Sequence, residues 1–167
     1  MVGRVRLALD HNFPETILRD LGKHLTDVEL VSLRDIDQRL PNLEDRPLLI
    51  ALRQLGWKGL VTNNYRMLKN PFELAAIIAT KIILFAVEGV GDDPIRATGA
   101  VLLDLPGALK RMDSRRGQVF WLRPRDPRPE NPRDLFTKLA VQRKTTYDGL
   151  MSDVAVSRSE LRTRVLR

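Results

Sequence analysis

Cysteine is absent from all 167 residues. That excludes a disulfide framework, a thiolate zinc site and a cysteine nucleophile, and it suits a reducing compartment, so a cytoplasmic location is expected. Long apolar runs are missing too. The longest lies near Ile77 to Val87 and is interrupted by Thr80-Lys81, short of the roughly 18 residues of a membrane span, so no membrane association is expected. Arg4 and Arg6 break any signal-peptide core at the N-terminus. No GxxxxGK[ST] phosphate loop is present, and no GxGxxG follows the first apolar segment. Gly89-Val90-Gly91 is too short a signal to carry a nucleotide. Without a GxSxG elbow, serine-hydrolase chemistry has no support. No internal repeat is visible.

What the chain does have is an uneven charge. Residues 1–105 hold 13 Lys and Arg against 14 Asp and Glu, a net of −1, whereas residues 106–167 hold 15 against 7, a net of +8. A near-neutral fold followed by a basic segment suggests a polyanionic partner, such as RNA, DNA or an acidic protein, against the plainer alternative of a solvated tail.

Arg4–Leu9 is a short run of β-formers, and Pro14 suits the first turn of a helix that Asn12 can cap. Val28–Leu33 reads as a second strand, and 34–42 as a polar turn. Glu44-Asp45-Arg46-Pro47 starts a helix that Gly56 closes. Gly59–Thr62, Ile82–Val87 and Gln118–Leu122 read as further strands. They alternate with helices from about Pro71 to Thr80 and from Asp93-Pro94 to about Leu105, where Pro106-Gly107 breaks the second. This βαβαβαβαβ order predicts a mostly parallel sheet with helices on both faces, a three-layer α/β/α sandwich. The expected division is an α/β domain over 1–122 and a Pro/Arg-rich linker with a basic C-terminal extension over 123–167. In that extension Asp134–Arg143 can form a short helix through Leu135, Phe136 and Leu139, and 145–167 are disordered alone or dock on a partner.

In an open α/β sheet, ligands bind outside the carboxyl ends of the strands, and the candidate residues follow from that rule. Asp10 ends the first strand, where it can coordinate Mg²⁺ or Mn²⁺ or cap the next helix. His11 beside it can act as a general base or bind a phosphate. At the start of the second helix, either Glu44 or Asp45 caps, and Asp45 is the better ligand if Glu44 does. Asn63 and Asn64 follow a strand and can form a turn or present neutral amide oxygens. Asp93, before Pro94, reads as an N-cap with a possible supporting role, and Asp92 is freer to face a site.

These positions resemble PIN-like domains, the group that includes the toxin nucleases of toxin–antitoxin pairs. Leu7-Ala8-Leu9-Asp10-His11-Asn12-Phe13-Pro14 is similar to that group's "LDEN-x-P" opening. Glu44-Asp45 before Leu48-Leu49 is similar to its acidic helix start, and Gly59-Leu60-Val61-Thr62-Asn63-Asn64 to its "LVT-x-D" strand end. The likeness spans about 4–122 and departs at three acids: the family's second opening acid falls on His11, its "T-x-D" aspartate on Asn64, and a later acid on Arg66. The resemblance implies a metal-dependent endoribonuclease using Mg²⁺ or Mn²⁺. Asp10, Asp45 and Asp92 would be metal ligands, and Asp10, Asp45, Asn64 and Asp93 the catalytic set. His11, Asn12, Asn63 and Arg66 would touch substrate. It further implies RNA and an antitoxin protein as partners and a homodimer as a possible assembly. Loss of acids at His11, Asn64 and Arg66 gives the alternative, a degenerate module that binds RNA or a protein without hydrolysis.

Overall fold

Strand formation and layer assignment both follow from alternation along the chain. In the computed structural model, which describes residues 4–11, 13, 21–88, 93–123 and 129–166, β1 is Val5–Leu9 and β2 is Val28–Ser32. Three more parallel strands follow, β3 (Gly59–Thr62), β4 (Ile83–Val87) and β5 (Gln118–Leu122), with a two-residue β6 (Pro129–Glu130). The sheet order is β2-β1-β3-β4-β5-β6, parallel except for the antiparallel β5–β6 pair. Successive side chains of a strand point to opposite faces, and here both faces are buried. Ala8, Leu60, Leu84, Ala86 and Val119 point into one core. Leu7, Leu9, Val61, Ile83, Phe85, Val87, Phe120 and Leu122 point into the other. The continuous apolar composition of β4 is the signature of a parallel strand covered on both sides.

Helices fill both cores, an arrangement compatible with a three-layer sandwich. On the first face lie α1 (Leu33–Ile36), α2 (Asp45–Gln54), α3 (Pro71–Thr80), α5 (Pro132–Gln142) and α6 (Tyr147–Val154). On the second face, α4 (Pro94–Lys110) packs with Phe13, Leu21 and Leu25. Phe85 and Phe120 stack there with centroids 5.3 Å apart. At the start of β3, a Cβ on Gly59 would sit 2.7 Å from Leu7 Cδ2 and 3.0 Å from the Ile83 carbonyl oxygen. Glycine is what lets β3 lie this close between its neighbours.

Three local expectations are corrected. The polar stretch 34–42 is not a plain turn. Ser32 Oγ accepts from the Asp35 amide at 3.2 Å and starts α1, and Leu33 and Leu40 anchor the segment in the first core. Pro106 does not break α4, which runs on to Lys110. The missing hydrogen bond costs about 3 kcal/mol, and burial of Leu105 and Ala108 on the second core offsets it. Finally, the helix expected over Asp134–Arg143 is α5, and within 145–166, expected to be disordered alone or docked on a partner, two further helices form. Asn131, Thr146 and Ser157 cap α5, α6 and α7 (Arg158–Arg162) in turn. Phe136, Ala140, Leu150 and Val154 complete the first core, with Phe136 edge-on to Tyr147 at 5.0 Å.

Phe136 is fully buried, so Phe136→Ala is expected to cost about 3–5 kcal/mol in urea unfolding. A loss within about 0.5 kcal/mol, the usual surface value, would place α5 outside the cooperative core.

Candidate functional site at the β1–β3 switch point

The sheet order reverses between β1 and β3, since β2 lies on one side of β1 and β3 to β5 on the other. Crevices at such a point receive ligands in open α/β sheets, and Asp10 and Asn63-Asn64 emerge on either side of it. The Asp10 amide donates to the Val61 carbonyl at 2.9 Å, extending the β1–β3 ladder one residue beyond the strand. The Asp10 side chain is buried at 7% exposure, yet both carboxylate oxygens are engaged. Thr62 Oγ1 donates to Oδ2 at 2.6 Å, and His11 Nδ1 lies 2.8 Å from Oδ1. Thr62 Oγ1 in turn accepts from the Asn64 amide at 2.9 Å, and Asn64 Nδ2 donates to Asp45 Oδ2 at 2.8 Å. One continuous chain of hydrogen bonds thus links Asp10 to Asp45 through Thr62 and Asn64.

Asp45 opens α2. Glu44 is the N-cap residue by backbone geometry, with no side-chain capping bond. Burial pushes the Asp45 carboxyl above its ordinary range, and the Asp10 charge adds to this. The Asn64 hydrogen bond and His11 act in the opposite sense, and Glu44 raises it further. A fourth acid, Glu73, was not singled out in the sequence. It sits in the first turn of α3, hydrogen-bonded by Asn70 Nδ2 at 2.8 Å. Burial and then the charge of Asp45 push it up to about 7. The signal was there to find: α3 follows a parallel strand, so its first turn opens on the same edge as Asp10.

The remaining candidates are placed as follows. Asn63 Oδ1 is buried and accepts no hydrogen bond among the described residues. Arg66 is exposed on the 3₁₀ turn Tyr65–Lys69. Asp93 caps α4, accepting from the Ile95 and Arg96 amides at 3.1 Å, and its other oxygen lies 3.4 Å from Arg96 Nε. Its carboxylate serves the helix, as the capping alternative has it. Asn12 and Asp92 lie outside the described residues. Among the described residues, no group of three or more His, Asp or Glu side chains is gathered closely enough to hold a metal ion.

The C-terminal segment reaches the back of this site. Beside Asp45, the Arg46 guanidinium forms a two-pronged pair with Glu160 at 2.8 and 2.9 Å. It also donates to the carbonyls of Val154, Ala155 and Phe72. At the other end of α2, Gln54 donates to the carbonyls of Leu161 and Thr163 and accepts from the Val165 amide at 3.1 Å. A bidentate, partly buried pair is worth more than a fully exposed one, so α2, which carries Asp45, is clasped at both ends.

No protein-family model, curated protein or solved structure matches this chain.

The raised Glu73 carboxyl has a measurable consequence. Its folded-state value lies above the ordinary 4.5, so the native state binds the proton more tightly than the unfolded chain does. Stability therefore falls as pH rises through the window from about 4.5 to about 7, and the full penalty is present above it. Glu73→Gln, which cannot ionise, is expected to gain most on the wild type above pH 7 and least below 4.5 in urea midpoints. Parallel pH curves for the two proteins would contradict the placement of Glu73 in the acidic cluster.

Proposed function

We propose that the chain is a PIN-like, divalent-cation-dependent endoribonuclease acting at the Asp10–Asp45 edge. The observation that carries this reading is the Asp10–Thr62–Asn64–Asp45 hydrogen-bond chain, which holds two carboxylates from separate elements at the switch point. The donor set suits Mg²⁺ or Mn²⁺. Such ions are commonly held by one or two carboxylates, with water and substrate phosphate completing the shell. Asp10 and Asp45 would be those carboxylates, and the unpartnered Asn63 Oδ1 is a neutral oxygen of the right hardness. Burial first, and then a neighbouring carboxylate's charge, raises Asp45 and Glu73, and a bound cation relieves the second of these.

When bound, the ion would polarise the scissile phosphate and acidify a water molecule. The chain's own residues do the rest. Thr62 fixes the Asp10 carboxylate, and Asn64 orients Asp45. Nδ1 of His11 faces Asp10, which leaves Nε2 as the nitrogen able to exchange a proton with the departing oxygen. Exposed Arg66 is suited to a phosphate oxygen beside the cleavage point. Toxin activity with an antitoxin protein as partner, a cytoplasmic setting and a homodimer belong to the same proposal. Growth arrest on induction, abolished by Asp10→Ala, is its cellular test.

Mn²⁺-dependent cleavage of RNA is expected from the wild type, with Asp10→Ala reduced about 100-fold or more. Equal rates in the two proteins, or no cleavage by either across a broad range of ions, would sink the reading. Asn64→Asp adds an acid but removes the donor to Asp45. It is expected to lower the melting temperature without metal and to enlarge the stabilisation by Mn²⁺, a combination that thermal melts with and without the ion would check.

A second reading is favoured by one observation, the lack of a three-ligand group among the described residues. On that reading the fold binds RNA without hydrolysis, and its affinity survives chelation. Calorimetry with Mn²⁺ separates the two: binding that disappears in Asp10→Ala supports the nuclease, and no binding supports the module.

A further inference from the structure

At the opposite, amino edge of the sheet lies a groove of about 560 Å³ that the acidic site does not use. Its walls are the turn after α3, the turn before β5, β6 and the start of α5. Lys81, Arg115, Arg116 and Arg133 line it, with Glu130 as the one acid among the lining residues. The charges are not cancelled from within. Glu130 accepts from the indole N–H of Trp121 and keeps its negative charge, so the lining holds four cations against one carboxylate. Asp113 stands 3.1 Å from Arg115 Nε and 3.6 Å from Arg116 Nε, one carboxylate for two guanidinium groups. The side chains of those arginines are 88% and 81% exposed. Lys81 and Arg133 are exposed and form no ion pair among the described residues. The α5 N-terminus contributes little here, because Asn131 Oδ1 already accepts from the Arg133 amide.

Carboxylates dominate the Asp10–Asp45 edge in the absence of a cation, so a separate cationic surface would add affinity for a polyanion. Three of the four groove cations are Lys or Arg of the basic C-terminal third, whose net charge is +8 over 106–167. We infer that this groove is a binding site for the phosphodiester backbone of a single-stranded RNA, remote from the Asp10–Asp45 edge. Four flexible, solvent-facing cations around a concavity suit successive phosphates of a strand, a contact that carries no sequence preference. The choice of RNA over other polyphosphates rests on the ribonuclease reading, whereas the groove's preference for linked phosphates does not.

The test is fluorescence anisotropy with a labelled single-stranded RNA of about 12 nucleotides, on the full chain in EDTA so that no cleavage occurs. Each phosphate contact contributes about −0.7 to the slope of log K against log salt for single strands, so four contacts predict about −3. Arg115→Ala/Arg116→Ala is expected to reduce the slope to about −1.4 and the affinity by about tenfold. Arg133→Glu, also on the surface, is expected to weaken binding in the same direction. Inorganic tripolyphosphate should displace the RNA from the wild type, and no measurable RNA binding would overturn the assignment to RNA. Unchanged affinity and slope in the groove variants would overturn the site, as would selective binding of an acidic protein instead of RNA. The two readings fail separately. Groove-dependent RNA binding without metal-dependent cleavage overturns the nuclease and leaves the groove standing. Asp10-dependent cleavage with unaltered RNA binding by the groove variants does the reverse.

Discussion

The hydrogen bond from Thr62 to Asp10 is the contact on which the candidate site depends. It joins the ends of the two strands at which the strand order reverses, and it fills one acceptor of a buried carboxylate whose other oxygen faces His11. Because Thr62 Oγ1 also receives the Asn64 amide, the same hydroxyl sets the course of the chain beyond β3 and so the reach of Asn64 toward Asp45. A valine at 62 would pack as well, but it would free both ends of this relay at once.

Charge is sorted along the strand direction. Acids gather where the strands end, at Asp10, Asp45 and Glu73, and cations gather where they begin, at Lys81, Arg115 and Arg116. Part of this is local economy, since helix C-termini lie at the amino edge and favour nearby cations. Lys81, for instance, is the C-cap of α3 in a left-handed conformation. The Asp45 and Glu73 carboxyls, by contrast, are pushed upward by burial first and by a neighbouring carboxylate next, which is a cost to the fold. Arg46 and Gln54 bind the C-terminal segment across α2 and stiffen the element that bears part of that cost.

Much of this was legible in the sequence, and the gaps have physical causes. Continuous apolar runs marked β4 and β5, and the strand–helix alternation placed Asp10, Asp45 and Asn64 on one edge. The helix at Asp134–Arg143 was legible from its apolar face, whereas the helices within 145–166 were harder to read because they bury little beyond Leu150 and Val154, against a core built by distant parts of the chain. Thr62 passed for a strand residue, since nothing local distinguishes a hydroxyl that packs from one that bridges two elements. Glu73 was missed because a first-turn acid is ordinary in any helix. Its significance comes from the neighbour that α2 brings to it.

The short β6 has a consequence for how the sheet meets its surroundings. Pro129 has no amide hydrogen to offer, and among the described residues β6 pairs with β5 over two residues. The sheet is therefore blunt on that side in the way proteins guard against unwanted strand addition. Its other border is β2, a regular five-residue strand paired, among the described residues, to β1 alone. The sheet is directional in this sense: a strand that lengthened it would have to align beside Val28–Ser32.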